Sequence, residues 1–178
     1  DMNSVIVKAY QHLVEKGCRR IALVCSNSMR GREFLSNYKG FSSYPPDMFD
    51  QLKTLGQGIN EELIYGGCKT AKLGYQAMYE LWHCDNRPDG IIISDDNTAM
   101  GVGQAVLDLQ IQTPGQLKLV TQATAGVSRD FPIDFTRVQF DLARIGRGAF
   151  GLLYRLMLHE RDADRLILKA AICQGRTT

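Results

Sequence analysis

No stretch of the 178 residues approaches the roughly 20 consecutive apolar positions of a membrane-spanning helix, and Asp1-Met2-Asn3 does not open a signal peptide. The reading therefore places the chain in water, in the cytoplasm, with no membrane partner. Charge of one sign never accumulates: 21 basic and 19 acidic residues are dispersed and sum to +2. Neither a polybasic arm nor an acidic tail argues for direct binding of nucleic acid. The five cysteines (Cys18, Cys25, Cys68, Cys84, Cys173) are odd in number and contain no C-x-x-C pair, the usage of reduced thiols and not of a disulfide frame. The three histidines (His12, His83, His159) lack the spacing that sets two ligands on one helix face, so no metal is expected. His83 and Cys84 read as surface or capping residues. A G-x-S-x-G elbow is missing, and Gly101-x-Gly103 is neither a dinucleotide fingerprint nor a P-loop. Ser26 or Ser28, His83 and Asp96 make a triad only on paper. The chain is expected not to be an enzyme, with no catalytic residue and no cofactor. It also contains no internal repeat or low-complexity tract.

What is present is an apolar share of 44%, enough for a core, and an alternation of strand and helix patterns from end to end. That alternation predicts an α/β fold with a mainly parallel sheet. Val5, Ala9, Leu13 and Val14 mark an amphipathic helix that stops at Gly17, and Ile21 to Cys25 read as a buried strand followed by Ser26, Asn27 and Ser28. A helix over 31–42, a break at Tyr44-Pro45-Pro46, a short helix over Met48 to Leu55, a strand at Leu63-Ile64-Tyr65 and a helix over Thr70 to Trp82 follow. Later come a strand from Leu117 to Thr121 and a glycine-and-polar loop through Ala123 to Asp130, read as a crossing between lobes. A strand over Phe135 to Phe140, a helix over Ile145 to Leu158 and a β-rich end over Leu166 to Cys173 complete the pattern.

One junction carries most of the functional signal. Ile91 to Ile93 form a β-branched run, and Asp95-Asp96 stand where that strand's carboxyl end meets the helix containing Ala99, Met100 and Gly101. Open α/β sheets bind ligands at that edge, and an Asp at a helix start can equally cap free backbone N–H groups.

In order along the chain, His12-Leu13-Val14-Glu15-Lys16-Gly17-Cys18-Arg19-Arg20-Ile21-Ala22, Gly40-Phe41, Gly74-Tyr75, Asp96 with Ala99, Met100 and Gly101, Phe135-Thr136-Arg137-Val138, Ile145-Gly146 and Thr177-Thr178 can be set beside one family. They resemble H-L-I-x-x-G-H-R-R-I-A, G-F, G-Y, N-D-x-x-A-x-G, L-T-T-V, I-G or L-G, and R-x-S-T of the effector-binding domain of LacI/GalR bacterial transcription regulators. Their order and spacing make the resemblance specific over nearly the whole chain. It implies the fold of the type I periplasmic-binding-protein-like domains, with a ligand between two lobes. Residues 1–127 would form the C-terminal lobe, 128–161 the crossing and the return segment of the N-terminal lobe, and 162–178 a final strand back to the C-terminal lobe. By that standard the chain is truncated, and the return segment would lack its sheet partners. It should pack on the first lobe, pair with a second chain, or stay loosely held.

The resemblance further implies a small-molecule effector of the sugar or nucleoside class, operator DNA reached only through an N-terminal head outside this chain, and a homodimer. Two of the ligand-contact slots depart from the family. Asn37 stands where an arginine usually precedes G-F, with Arg30 and Arg32 nearby, and Ala123 stands at the first aspartate of G-F-D-D. Each lost charge-assisted hydrogen bond would remove roughly 1.5 to 3 kcal/mol. The remaining contacts are expected from Asp96 and Asp95, then Ser26, Ser28 and Asn37, then Gln122, with Phe140 either a stacking surface or part of the core. A solute-binding protein of the periplasmic type shares the fold and is the alternative, against which the five unpaired cysteines argue.

Overall fold

The computed structural model describes residues 3–26, 31, 48–126, 130–159 and 166–178. Helix α1 (Asn3–Glu15) buries Val5, Ile6, Ala9, Tyr10 and Leu13 on one stripe. It ends in a Schellman turn: Cys18 N–H donates to the Leu13 carbonyl at 3.0 Å and Gly17 N–H to that of Val14 at 2.9 Å. Gly17 takes φ +87°, which glycine adopts without steric cost. Strand β1 (Ile21–Val24), helix α2 (Met48–Leu55), a 3-10 turn (Glu61–Leu63), strand β2 (Ile64–Tyr65), helix α3 (Ala71–His83), strand β3 (Gly90–Ile93), helix α4 (Asp96–Asp108) and strand β4 (Lys118–Ala125) follow. Strand β5 (Thr136–Asp141), helix α5 (Leu142–Met157) and strand β6 (Ala171–Cys173) complete the described chain.

The six strands form one sheet in the order β2-β1-β3-β4-β5-β6, parallel throughout except for the antiparallel β5–β6 pair. Both faces are covered, which is why β1 (IALV) and β3 (GIII) are continuous apolar runs and not alternating ones. One face, with Ile21, Leu23, Cys25, Ile64, Ile92, Val120 and Val138, packs under α1 and α2. The other, with Ala22, Val24, Ile91, Ile93 and Leu119, packs under α3 and α4. These two helices meet through glycine: a Cβ on Gly74 would lie 2.4 Å from the Thr98 carbonyl oxygen, and one on Gly101 would lie 1.7 Å from that of Ala71.

The carboxyl half of the chain corrects three expectations. Strand β4 runs on to Ala125, through the first residues of the expected loop, because Val120 to Ala125 pair in register with Thr136 to Asp141. Strand β5 has a neighbour on each side, so the return strand does not lack sheet partners; the edge that β4 offers by its extension supplies one and β6 the other. Within the β-rich end, only Ala171 to Cys173 join a ladder. Helix α5 is different. Asp141 caps it, accepting from Arg144 N–H at 2.9 Å, yet none of its residues is buried and Phe150 and Met157 are each 70% exposed. The expected helix over 31–42 and the break at 44–46 lie outside the described residues, apart from Gly31.

The tail is clasped to the sheet. Thr177 Oγ1 donates to the Leu119 carbonyl at 2.6 Å and accepts from Thr136 N–H at 2.9 Å, while Leu119 N–H donates to the Thr177 carbonyl. Thr178 Oγ1 lies 2.8 Å from both His12 Nε2 and Thr136 Oγ1. These bonds tie α1, β4, β5 and the tail together.

Candidate site at the carboxyl edge of the parallel sheet

Register brings the sequence-predicted residues to one edge. Val24 pairs with Ile93, and Ile93 with Thr121, so Ser26, Asp95 and Gln122 all follow the last shared rung of β1, β3 and β4. Ser94 N–H donates to the Val24 carbonyl and Cys68 N–H to the Cys25 carbonyl, each at 3.0 Å, which closes the edge between neighbouring strands. Ser26 is exposed there, and Asp95 and Asp96 are half-buried. Ser28 and Asn37, with Arg30 and Arg32, lie outside the described residues.

At the junction that opens α4, the structure separates the two aspartates. Asp95 is the N-cap, with extended backbone; its Oδ1 accepts from Thr98 N–H at 2.9 Å and its Oδ2 lies 2.7 Å from Thr98 Oγ1. The Thr98 hydroxyl also faces the Cys68 carbonyl, so one proton stands between two acceptors, one beyond β2 and one beyond β3, on either side of β1. Asp95 thus fixes the start of α4 and ties it to the loop after β2. Asp96 occupies the first turn of the helix, where the helix dipole favours a carboxylate. Thr98 is the residue that sequence reasoning missed, although its place three after an aspartate at a strand end is the spacing of a cap.

Gln122 and Phe140 sit on strands that pass beyond the edge. Gln122 pairs with Val138 and Phe140 with Thr124, and alternation along the strands turns both toward the α1 side of the sheet. Phe140 is half-buried and packs against the core beneath α1 and α2. At Ala123 the side chain is buried and apolar, and the edge there offers no carboxylate. Among the described residues, no three His, Cys, Asp or Glu side chains gather as a metal site, and no helix is long and apolar enough to cross a membrane.

A parallel sheet covered on both faces, with polar groups from successive strands at its carboxyl edge, defines a ligand-binding α/β lobe. Residues 10–178 match the family described as the periplasmic binding protein-like domain. The chain belongs to that family, in the form of the effector-binding domain of LacI-type regulators. Curated relatives agree: it is 24% identical over 160 residues to the HTH-type transcriptional repressor PurR of Mannheimia succiniciproducens, covering 88% of this chain and 44% of that one. The PurR of Photorhabdus laumondii is 25% identical over 163 residues, with 89% and 44% covered. In fold it is similar to a LacI regulator from Lactobacillus casei crystallised with bound Tris, with a TM-score of 0.76 at 18% identity, covering 100% of this chain and 62% of that one. A LacI family regulator from Clostridium acetobutylicum gives a TM-score of 0.77 at 16% identity. The chain spans less than half the length of the curated relatives it matches.

Proposed function

We propose that this chain is the effector-sensing part of a cytoplasmic DNA-binding transcription regulator, and that its small-molecule ligand, of the sugar or nucleoside class, binds at the carboxyl edge of the parallel sheet. The single observation that carries this reading is the family match over residues 10–178, which includes every residue placed at that edge. Asp96 is the charged contact, Asp95 holds the start of α4 in place, and Ser26, Ser28, Asn37 and Gln122 supply neutral hydrogen-bonding groups. Phe140 closes the core beneath them.

In this reading residues 1–127 are one lobe, 128–161 are the crossing and the return segment of the second lobe, with β5 joined to the first lobe's sheet beside β4, and 162–178 return to the first. A ligand that binds the closed arrangement of two lobes more tightly than the open one shifts the population, and that difference in affinity is what reaches a DNA-binding head outside this chain. The head would act as a pair, through a homodimer. Reading the coding sequence upstream of Asp1 tests this. A helix-turn-helix segment there supports the regulator, and a signal peptide would overturn it in favour of a solute-binding protein.

A further inference from the structure

Arg137 is the least expected residue of β5. Its Nε is buried and has no acceptor among the described residues, and its Nη2 lies 3.8 Å from Cys173 Sγ, a weak partner. It stands opposite Thr121 on one side and Cys173 on the other, on the sheet face away from α1, because Val138 next to it belongs to the core beneath that helix. Beside it opens a cavity of about 310 Å³ formed with segment 130–135 and Arg176.

A guanidinium donor withdrawn from water without an acceptor is destabilising. Arg176 brings a second cation to the rim of the same cavity. Its own carboxylate partner, Asp134, is 3.5 Å away, and the two side chains are 90% and 43% exposed, so solvent screens that pair. Two departures from the LacI/GalR pattern bear on the same place. Arg137 stands where L-T-T-V has threonine, and Ala123, where G-F-D-D has aspartate, pairs with Gln139 one alternation along the same face. An aspartate at 123 would lie diagonal to Arg137, at roughly 7 to 8 Å between backbones, within reach of a long side chain. Alanine at that position supplies no acceptor to Arg137.

We propose that Arg137 and Arg176 form a binding site for a small oxyanion, the carboxylate or phosphate group of a ligand, on the β5 face of the sheet. The guanidinium fork matches such a group in two parallel hydrogen bonds. Asp130 and Asp134, which also line the cavity, limit the charge it accepts, so a compact oxyanion is favoured over a polyphosphate. The site uses none of the residues assigned to the effector edge; Gln122 and Phe140 share its strands but face the other way.

Isothermal titration of the 178-residue chain with sodium phosphate and, separately, sodium acetate, at constant ionic strength set by sodium chloride, tests it. One equivalent of either anion should bind, and the tighter of the two identifies the group recognised. Arg137→Gln should weaken binding at least about tenfold and Arg176→Gln by a smaller factor, while Asp96→Ala should leave it unchanged, which separates this site from the effector edge. If Arg137→Gln fails to fold by circular dichroism, Arg137→Lys, which keeps the charge and loses the fork, should weaken binding about fivefold. Absence of saturable binding of both anions to the unsubstituted chain would overturn the proposal, as would unchanged affinity in the folded variant at position 137.

Discussion

Helices α4 and α5 are both amphipathic segments that follow a parallel strand and start on an aspartate cap, yet they differ in what they bury. Helix α4 puts Thr98, Ala99, Gly101, Val102, Gly103, Ala105 and Val106 out of water against α3 and the sheet. Helix α5 buries none of its residues, and only at Gly148 among its glycines would an added Cβ meet neighbouring side chains, those of Leu166 and Leu168. Propensity and capping suffice to shape a helix, while tertiary packing supplies most of its stability. The α/β body should therefore unfold as one unit, and α5 should contribute little to that transition.

The largest expected contrast comes from truncating leucines. Leu81→Ala in α3, at a fully buried position, should lower the unfolding free energy by about 2 to 5 kcal/mol, whereas Leu153→Ala in α5, at a position 57% exposed, should change it by no more than about 0.5 kcal/mol. Urea titrations followed by circular dichroism measure both. Comparable losses would break the comparison. Next come the glycines: Gly101→Ala drives a methyl into the backbone of α3 and should be destabilising by about 3 kcal/mol, while Gly146→Ala has nothing within 4 Å of its new Cβ and should be neutral or slightly favourable.

A smaller effect depends on pH. Burial, with Lys16 adding and Glu15 opposing, holds the His12 pKa below its ordinary 6.5. The folded protein therefore takes up this proton less readily than the unfolded chain, and stability should fall as the pH drops through about 6.5, with no contribution from this group well above it. His12→Gln should flatten that dependence in thermal melts taken from about pH 7 to 5. An unchanged slope would show that the clasp of His12, Thr178 and Thr136 tolerates the charge. The smallest contrast uses two non-glycine residues in the left-handed region among the described residues, Gln110 at φ 54° after α4 and His159 at φ 59° after α5. Gln110→Gly should add about 0.5 kcal/mol to global stability, and His159→Gly, the same local relief outside the body, should add less.

The body was readable where physics is local. The β-branched runs of β1 and β3 and the Gly17 stop of α1 follow from residue type alone. Strand β4 was read too short because Thr-Gln-Ala-Thr-Ala has little intrinsic strand signal, and pairing with β5, which begins eleven residues later, determines its length. The end of α4 at Gln110 lacked the glycine that usually marks such a turn; its i−5 bond from Ile111 to Val106 forms because Ile111 is buried. At the candidate site, the strand-to-helix junction was legible and the division of labour within it was not, since capping by Asp95 depends on where the Thr98 side chain settles. Arg137 reads in sequence as an outward polar position on an alternating strand, and only segment 130–135 and Arg176 reveal its cavity.

The account places effector recognition on Asp96 at the carboxyl edge, and a titration tests that most directly. The chain and its Asp96→Ala variant would be titrated with a panel of hexoses, pentoses and nucleosides, with folding checked by circular dichroism. We expect a ligand from this panel to bind the unsubstituted chain and to lose about tenfold or more in affinity in the variant, as removal of a charge-assisted hydrogen bond requires. Equal binding by the two proteins would contradict the assignment.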